Sequence, residues 1–523
     1  MSDIAALAQR ILETLWRHAP VSATYLGIHR HDHVLASFSR DALDSQAGEL
    51  RAHLKEIEQF RARHPEADAD ARLDLDLLEG EIRTLLRSQE DVRVPFRNPG
   101  CYLEEATFGL YLVILRPYAP AGERAGPLAA RMREVPRILE EARRNLDSPG
   151  EVPRLWAEMS LELGAGALEF LEEAAGWCRR EAPARSAEVE SSAALARQAM
   201  LDYLQFLRDR VVPGAGGSFA VGREHFEFLL REAHGLSDGV DDLEEFGRRE
   251  LAETQEKLKQ AAASISARSW EEQVEEFHQD VPSPERLVEA YREEIAKARR
   301  FVREKNLLDL PAGESLEVVE TPVFERKTTP FAAYVPPAPF EDGQQGVFWV
   351  TPPDASLGEA EQRLQIKEHM LPSIPITCVH EGYPGHHAQF TLANRAASSP
   401  RRQISTPVMV EGWALYCEEM MGEQGFYVDP RTRLLQLKDY LWRCTRVVID
   451  TGLHARGMSF DEAVRLLVEI ARINPVSAAG EIKRYTKTPT QPMSYAVGKR
   501  EILRLRDDVR RREGPAFSLK SFH

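Results

Sequence analysis

Apolar residues recur at spacings of three and four along most of this chain, and that period constrains the fold more than any other feature. It is carried by Arg131–Asn145, Trp156–Arg180, Leu243–Ile265, Pro284–Leu307 and Thr432–Arg456. Each predicts a helix that buries one face. Met1–Pro20 has the same character, with Ile4, Leu7, Ile11, Leu12, Leu15 and Trp16 set among charged residues. That reads as an amphipathic helix and not as the continuous apolar core of a signal peptide. Stops fall at Ser148-Pro149-Gly150 and at Pro213-Gly214-Ala215-Gly216-Gly217-Ser218, the best linker candidate. Neither a solenoid-length repeat nor a low-complexity block interrupts the pattern.

One region departs from the helical period. Leu316–Thr321 alternates as a strand does, and Gly346–Thr351 is a short β run closed by Pro352-Pro353. Between them Pro330–Phe340 holds prolines at 330, 336, 337 and 339, which predicts extended but irregular chain. The expected fold class is mostly α, with a small β-sheet just ahead of the densest histidine cluster. The expected organisation is an N-terminal helical lobe, residues 1–235, and a second lobe, residues 236–523. The second carries the sheet (316–351) and the histidine-rich segment (380–411); one intertwined domain is the other possibility.

Composition narrows the function. At 523 residues the chain has length for several domains' worth of core. Its formal net charge of −16 makes it a poor match for nucleic acid or an anionic membrane, both of which call for positive surface. The five cysteines (101, 178, 378, 417 and 444) show no CxxC spacing, so reduced thiols in a cytoplasmic protein are expected. The densest apolar run, Phe108–Leu115, is far short of the ~20 residues of a membrane span.

The chemistry concentrates in His380-Glu381-Gly382-Tyr383-Pro384-Gly385-His386-His387. In an HExxH helix two imidazoles one turn apart reach one zinc, and the intervening glutamate takes a proton from the attacking water. Here Pro384 occupies the fifth position. On a regular helix His387 lies on the face of His380 but about 10.5 Å along it, too far for a shared metal. His386 points roughly 120° away. Pro384 removes the N–H that would bond the carbonyl of His380, and Gly385 lets the chain bend. A bulge of two extra residues would bring His386 to the second ligand position; His387 then reads either as a structural residue or as the alternative ligand. For a third ligand, Thr406–Tyr416 reads as the start of an apolar-rich helix with Glu411 in its first turns. Glu418 shares its face; Glu419, one step round, reads as solvent-facing.

The strings HEGYPGHH, VEGWALYCEEM (410–420) and Thr490-Gln491-Pro492-Met493-Ser494-Tyr495-Ala496-Val497-Gly498 resemble the bacterial family DUF885. Tyr25-Leu26-Gly27-Ile28-His29 and the segment Phe96–Phe108 add to the likeness, which covers nearly the whole chain. That family is similar in turn to helical gluzincin peptidases: the carboxypeptidase Taq family, thimet-type oligopeptidases and dipeptidyl peptidase III. The resemblance implies a zincin-like fold with a deep cleft between helical lobes. It implies one Zn2+ held by His380, His386 and Glu411, with Glu381 as general base. Tyr495 resembles the tyrosine of the late Tyr-x-x-Gly element in the carboxypeptidase Taq family and becomes the candidate oxyanion donor, with Tyr485 as its competitor. It also implies a further helical segment beyond Phe522-His523.

Arg446, Asp450 and His454 are spaced by four and line one helix face. They read either as a support for the metal site, as a carboxylate clamp for substrate, or as a surface ion-pair ladder. Arg484, beside Tyr485, is a second candidate clamp. The run Gly346–Thr351 suggests an edge strand that holds an extended substrate by main-chain hydrogen bonds. The reading that follows is a zinc-dependent hydrolase of short peptides or peptide-like amides, with neither nucleic acid nor membrane as a partner. Two alternatives stand beside it: a zinc-dependent tailoring hydrolase of a small non-peptide metabolite, and a binding protein with a degenerate metal site.

Overall fold

The computed structural model describes residues 3–523 except 324, 325, 327 and 328. Its chain forms two compact units. The first is Met1–Val221 with Ala338–Asp342 and Ala396–Ile404; the second is Gly222–Pro337, Gly343–Arg395 and Ser405–His523. The chain leaves the first unit shortly after the Pro213–Ser218 linker, and it returns there twice in short excursions.

The first unit is helical. Helix α1 (Asp3–His18) matches the amphipathic pattern expected of the N-terminus, of which Met1 and Ser2 lie outside the described residues. Its Leu7, Ile11, Leu12, Leu15 and Trp16 pack with Leu50, Ile57, Phe60, Leu75, Leu78 and Ile82. A second core joins α2 (Gly100–Leu115), α3 (Ala121–Asn145), α4 (Arg154–Glu181) and α5 (Ser186–Phe206). The apolar run 108–115 is the end of α2, and no described helix is long and apolar enough to cross a membrane. His29 stacks on Tyr118 at 3.7 Å between Asp32 (2.9 Å) and Glu341 (3.3 Å). Burial alone would lower its pKa, but the two carboxylates hold it up to about 9.

The second unit contains α6 (Val240–Ile265), α7 (Leu287–Glu304) and one three-stranded sheet. Strand β1 (Ser315–Glu320) runs parallel to β3 (Gln345–Val350), pairing Val318 with Phe348. Strand β2 (Ala332–Val335) runs antiparallel to β3, pairing Tyr334 with Phe348. Two expectations are corrected here. Ala332–Val335 is a regular strand, because the prolines flank it and leave its N–H groups free to pair. And β3 is the central strand of the order β1-β3-β2, so its hydrogen-bonding edges are both occupied and it cannot receive a substrate as an edge strand. Val318, Phe348 and Val350 pack on Tyr291, Ile295 and Ala298 of α7 and on Ile374, Cys378 and Val379 of a later helix, α8 (Ile374–Glu381). The sheet thus backs the helix that carries His380. All five cysteines are free, and all but Cys101 are buried.

Candidate metal centre

Helix α8 stops at Glu381, and α9 (His386–Ala393) begins at His386. Across the break the Gly385 N–H donates to the Val379 carbonyl (3.0 Å) and the Ala388 N–H to the Gly382 carbonyl (3.4 Å). Each bond spans six residues where a regular helix spans four, which is the insertion of two residues expected from the sequence. The Tyr383–Pro384 peptide is cis. The glycines are required by close approach: a Cβ on Gly385 would lie 1.9 Å from the His380 carbonyl oxygen, and one on Gly382 2.4 Å from Ile295. The Trp413 indole donates to the Pro384 carbonyl (2.9 Å) and ties the break to α10 (Pro407–Glu423).

The break brings the His380 and His386 rings to 4.8 Å, nearly perpendicular at 86°. Helix α10 starts where Thr406 caps the Val408 N–H (3.3 Å), placing Glu411 in its second turn. The Glu411 Oε2 lies 3.4 Å from His386 Nε2 and 3.7 Å from His380 Nε2. One ligand atom from each of the three residues lies within 4.8 Å of the others. Two turns further along α10, Glu418 accepts a 2.7 Å hydrogen bond from His380 Nδ1, which leaves Nε2 facing Glu411. Burial would lower the pKa of His380, yet Glu411 and Glu418 push it up to about 10. Burial would likewise raise that of Glu411, and the two imidazoles hold it well below the carboxylate range. The donor set is two imidazoles and one ionised carboxylate, the residue types that hold a divalent ion such as zinc. Glu381, partly exposed, ends α8 directly after His380.

His387 is elsewhere. It is fully buried, bonded through Nε2 to Glu314 (3.0 Å) and through Nδ1 to Tyr334 (3.1 Å). Arg299 (3.0 Å) and the Tyr383 hydroxyl complete the pairing of Glu314.

A family model described as "Bacterial protein of unknown function (DUF885)" matches residues 20–523. The chain belongs to the DUF885 family. Among the solved structures that share its fold are two lipoprotein-named chains. One, called a "putative lipoprotein of unknown function" from Shewanella oneidensis, is 22% identical with a TM-score of 0.83, over 100% of this chain and 96% of that one. The other, called a "putative lipoprotein" from Colwellia psychrerythraea, is 18% identical with a TM-score of 0.84, over 99% and 94%. No curated protein matches the chain.

In this DUF885 chain, α13 (Ser494–Glu513) brings Tyr495 beside the cluster, its ring 6.4 Å from that of His380. The approach depends on glycine. A Cβ on Gly498 would sit 1.9 Å from the Val408 carbonyl oxygen, and one on Gly412 2.5 Å from the Gly498 backbone. Burial and Glu411 raise the Tyr495 pKa, while Arg446, Arg443 and Arg484 oppose the rise.

Arg446, Asp450 and His454 lie on α11 (Pro430–Ala455) and are all buried, so they are not a surface ladder. Each does something different. Arg446 pairs with Glu481 (3.1 Å) and lies 4.8 Å from the Tyr495 ring. Asp450 accepts the N–H groups of Thr490 (3.2 Å) and Met493 (3.1 Å), bracing the turn that leads into α13. His454 Nε2 bonds the carbonyl of Tyr485 (3.0 Å) on α12 (Pro475–Lys487), which makes it a tie between helices. Arg484 bonds Gln491 and Glu481, both at 2.8 Å, and Tyr485 is buried against Arg446. Glu419, read as solvent-facing, instead pairs with Arg433 (3.1 Å) and Lys499 (3.3 Å), because α13 covers that side of α10. The contribution of Glu418 was not assigned from sequence. Its signal was present in its spacing of seven from Glu411, which keeps both on one face.

Proposed function

We propose that this protein is a zinc-dependent hydrolase of peptide or peptide-like amide bonds in short substrates. The observation that carries the reading is the convergence of His380, His386 and Glu411 directly beside Glu381. Ligands about 2.0–2.1 Å from a tetrahedral zinc stand about 3.4 Å apart. The 3.4 and 3.7 Å separations already present fit that requirement with little adjustment. The resemblance to gluzincin peptidases read from the sequence motifs would imply the same ligands. Zinc, when bound, would supply Lewis acidity and lower the pKa of the attacking water.

The chain's own groups supply the rest. Glu381 takes the proton of the attacking water and returns it to the leaving amine. The Tyr495 hydroxyl donates to the oxyanion that forms on the scissile carbonyl. Glu418 holds the His380 ring in one orientation, so that the donor set is arranged before substrate arrives. Five free cysteines support a cytoplasmic setting, though the two solved structures named above are each called a "putative lipoprotein".

The test is metal analysis of the purified protein, followed by chelation and zinc add-back, with a short-peptide library and a panel of non-peptide amides and esters as substrates. Stoichiometric zinc and restored peptide cleavage are expected. A protein that takes up no zinc, or hydrolyses only the non-peptide panel, would overturn the reading.

A further inference from the structure

The side chains beside Tyr495 leave a set of buried donors without acceptors. These are the Trp442 indole N–H, the Arg443 Nε–H, and the Nε and Nη1 groups of Arg446, all on α11. Arg446 itself is only 4% exposed. These groups form one cluster. The Arg446 guanidinium lies 4.2 Å from the centre of the Trp442 ring, 4.8 Å from Tyr495 and 5.5 Å from Tyr485. That of Arg443 lies 4.7 Å from Trp442 and 5.7 Å from Tyr495.

Native proteins rarely keep buried donors unpaired, since each costs about 1–3 kcal/mol. Indole and guanidinium groups can only donate. The missing partner is therefore rich in acceptors. Charge points the same way: Arg446 and Arg484 share one carboxylate, Glu481, and Arg443 reaches Asp439 only at 4.0 Å. A planar guanidinium fork matches a carboxylate. The cluster stands one tyrosine ring from His380, the reach of a short stretch of extended peptide at about 3.5 Å per residue.

We propose that Arg446, with Arg443 and Trp442, binds the free terminal carboxylate of a short peptide, so that cleavage falls within a residue or two of the carboxyl end. The inference rests on the hydrolase reading and deepens it. It makes Arg446 the specificity-determining residue and assigns His454 to the framework that holds α12.

The experiment compares tripeptides as free acids and as their C-terminal amides. Binding is measured by calorimetry on zinc-loaded Glu381→Gln protein, so that it does not depend on turnover. The acids are expected to bind at least 30-fold more tightly than the amides. Adding Arg446→Met should reduce the acids to the affinity of the amides while zinc content stays unchanged; Arg446→Lys should retain part of the preference. In the active enzyme, Arg446→Met should raise KM for the acids far more than it lowers kcat. Equal affinity for acid and amide in the Glu381→Gln protein would overturn the proposal without recourse to any Arg446 variant. So would a preference that survives Arg446→Met. A protein that prefers the acids but cuts neither would support the carboxylate site and overturn the hydrolase reading alone.

Discussion

His380 shows how much of the proposed metal centre would rest on residues that do not themselves ligate the ion. Its Nδ1 is held by Glu418, and only that bond leaves Nε2 free to face Glu411. Replacing Glu418 by Ala is expected to lower zinc affinity 10–100-fold, read by competition with a chromophoric chelator. An unchanged affinity would mean that α8 packing orients the ring unaided. His386→Ala removes a proposed ligand and should abolish stoichiometric zinc, whereas His387→Ala should leave the proposed ligand set complete and cost stability, because it removes one of the three partners of buried Glu314. Tyr495→Phe keeps the ring and its packing but removes the donor. Turnover should drop about 10²–10³-fold with zinc content unchanged. At this scale the sequence was informative wherever chemistry restricts residue type. His380, Glu381, His386 and Glu411 could be singled out because histidine and glutamate in that order have little use in packing. Trp442 and Arg443 could not, since nothing in their spacing separates them from an ordinary helix surface.

Among the elements, the interrupted helix is the decisive one. The break between α8 and α9 was legible: Pro384 cannot donate to His380, and two added residues were needed to bring His386 round. Its closure was not, because it depends on Trp413 of α10 reaching the Pro384 carbonyl. Gly385→Ala would drive a Cβ to 1.9 Å from the His380 carbonyl oxygen. The expected outcome is loss of zinc together with a drop in stability of about 2 kcal/mol or more, measured by denaturant unfolding. Gly498→Ala presses on the Val408 carbonyl in the same way and should separate Tyr495 from the His380–His386–Glu411 cluster. Its signature is retained zinc with turnover as low as that of Tyr495→Phe. The sheet tells the opposite story. Its strands could be read from alternation, but which one became central could not. Period reports which face of a strand is buried, while strand order depends on contacts far apart in the chain.

At the scale of the whole molecule, two ionic clusters, one in each compact unit, respond to pH in opposite senses. In the second unit, burial would raise the Glu314 pKa, but His387, Tyr383 and Arg299 hold it at about 2. Its folded value is below the unfolded one, so its stabilisation is complete above about pH 4.5 and is lost as pH falls toward 2. In the first unit His29 is held at about 9, above its ordinary value of 6.5. Its stabilisation is complete below pH 6.5 and is lost as pH rises through 9. Hydrogen exchange should therefore show protection falling in residues 287–320 at the acid end and in residues 20–35 at the alkaline end. Glu314→Gln should flatten the first dependence and His29→Gln the second; a dependence that survives its substitution would assign the effect to other groups. The sequence by itself determined the helical class, the small sheet, the free thiols and the residue types able to hold a metal, because period and side-chain chemistry are local properties. Only the tertiary structure decided which carboxylate orients His380, which arginine stands beside Tyr495, and that His387, His454 and Glu419 belong to the framework. Those outcomes depend on which helices pack together, and close approaches such as Gly412 to Gly498 are made between residues that no sequence period relates.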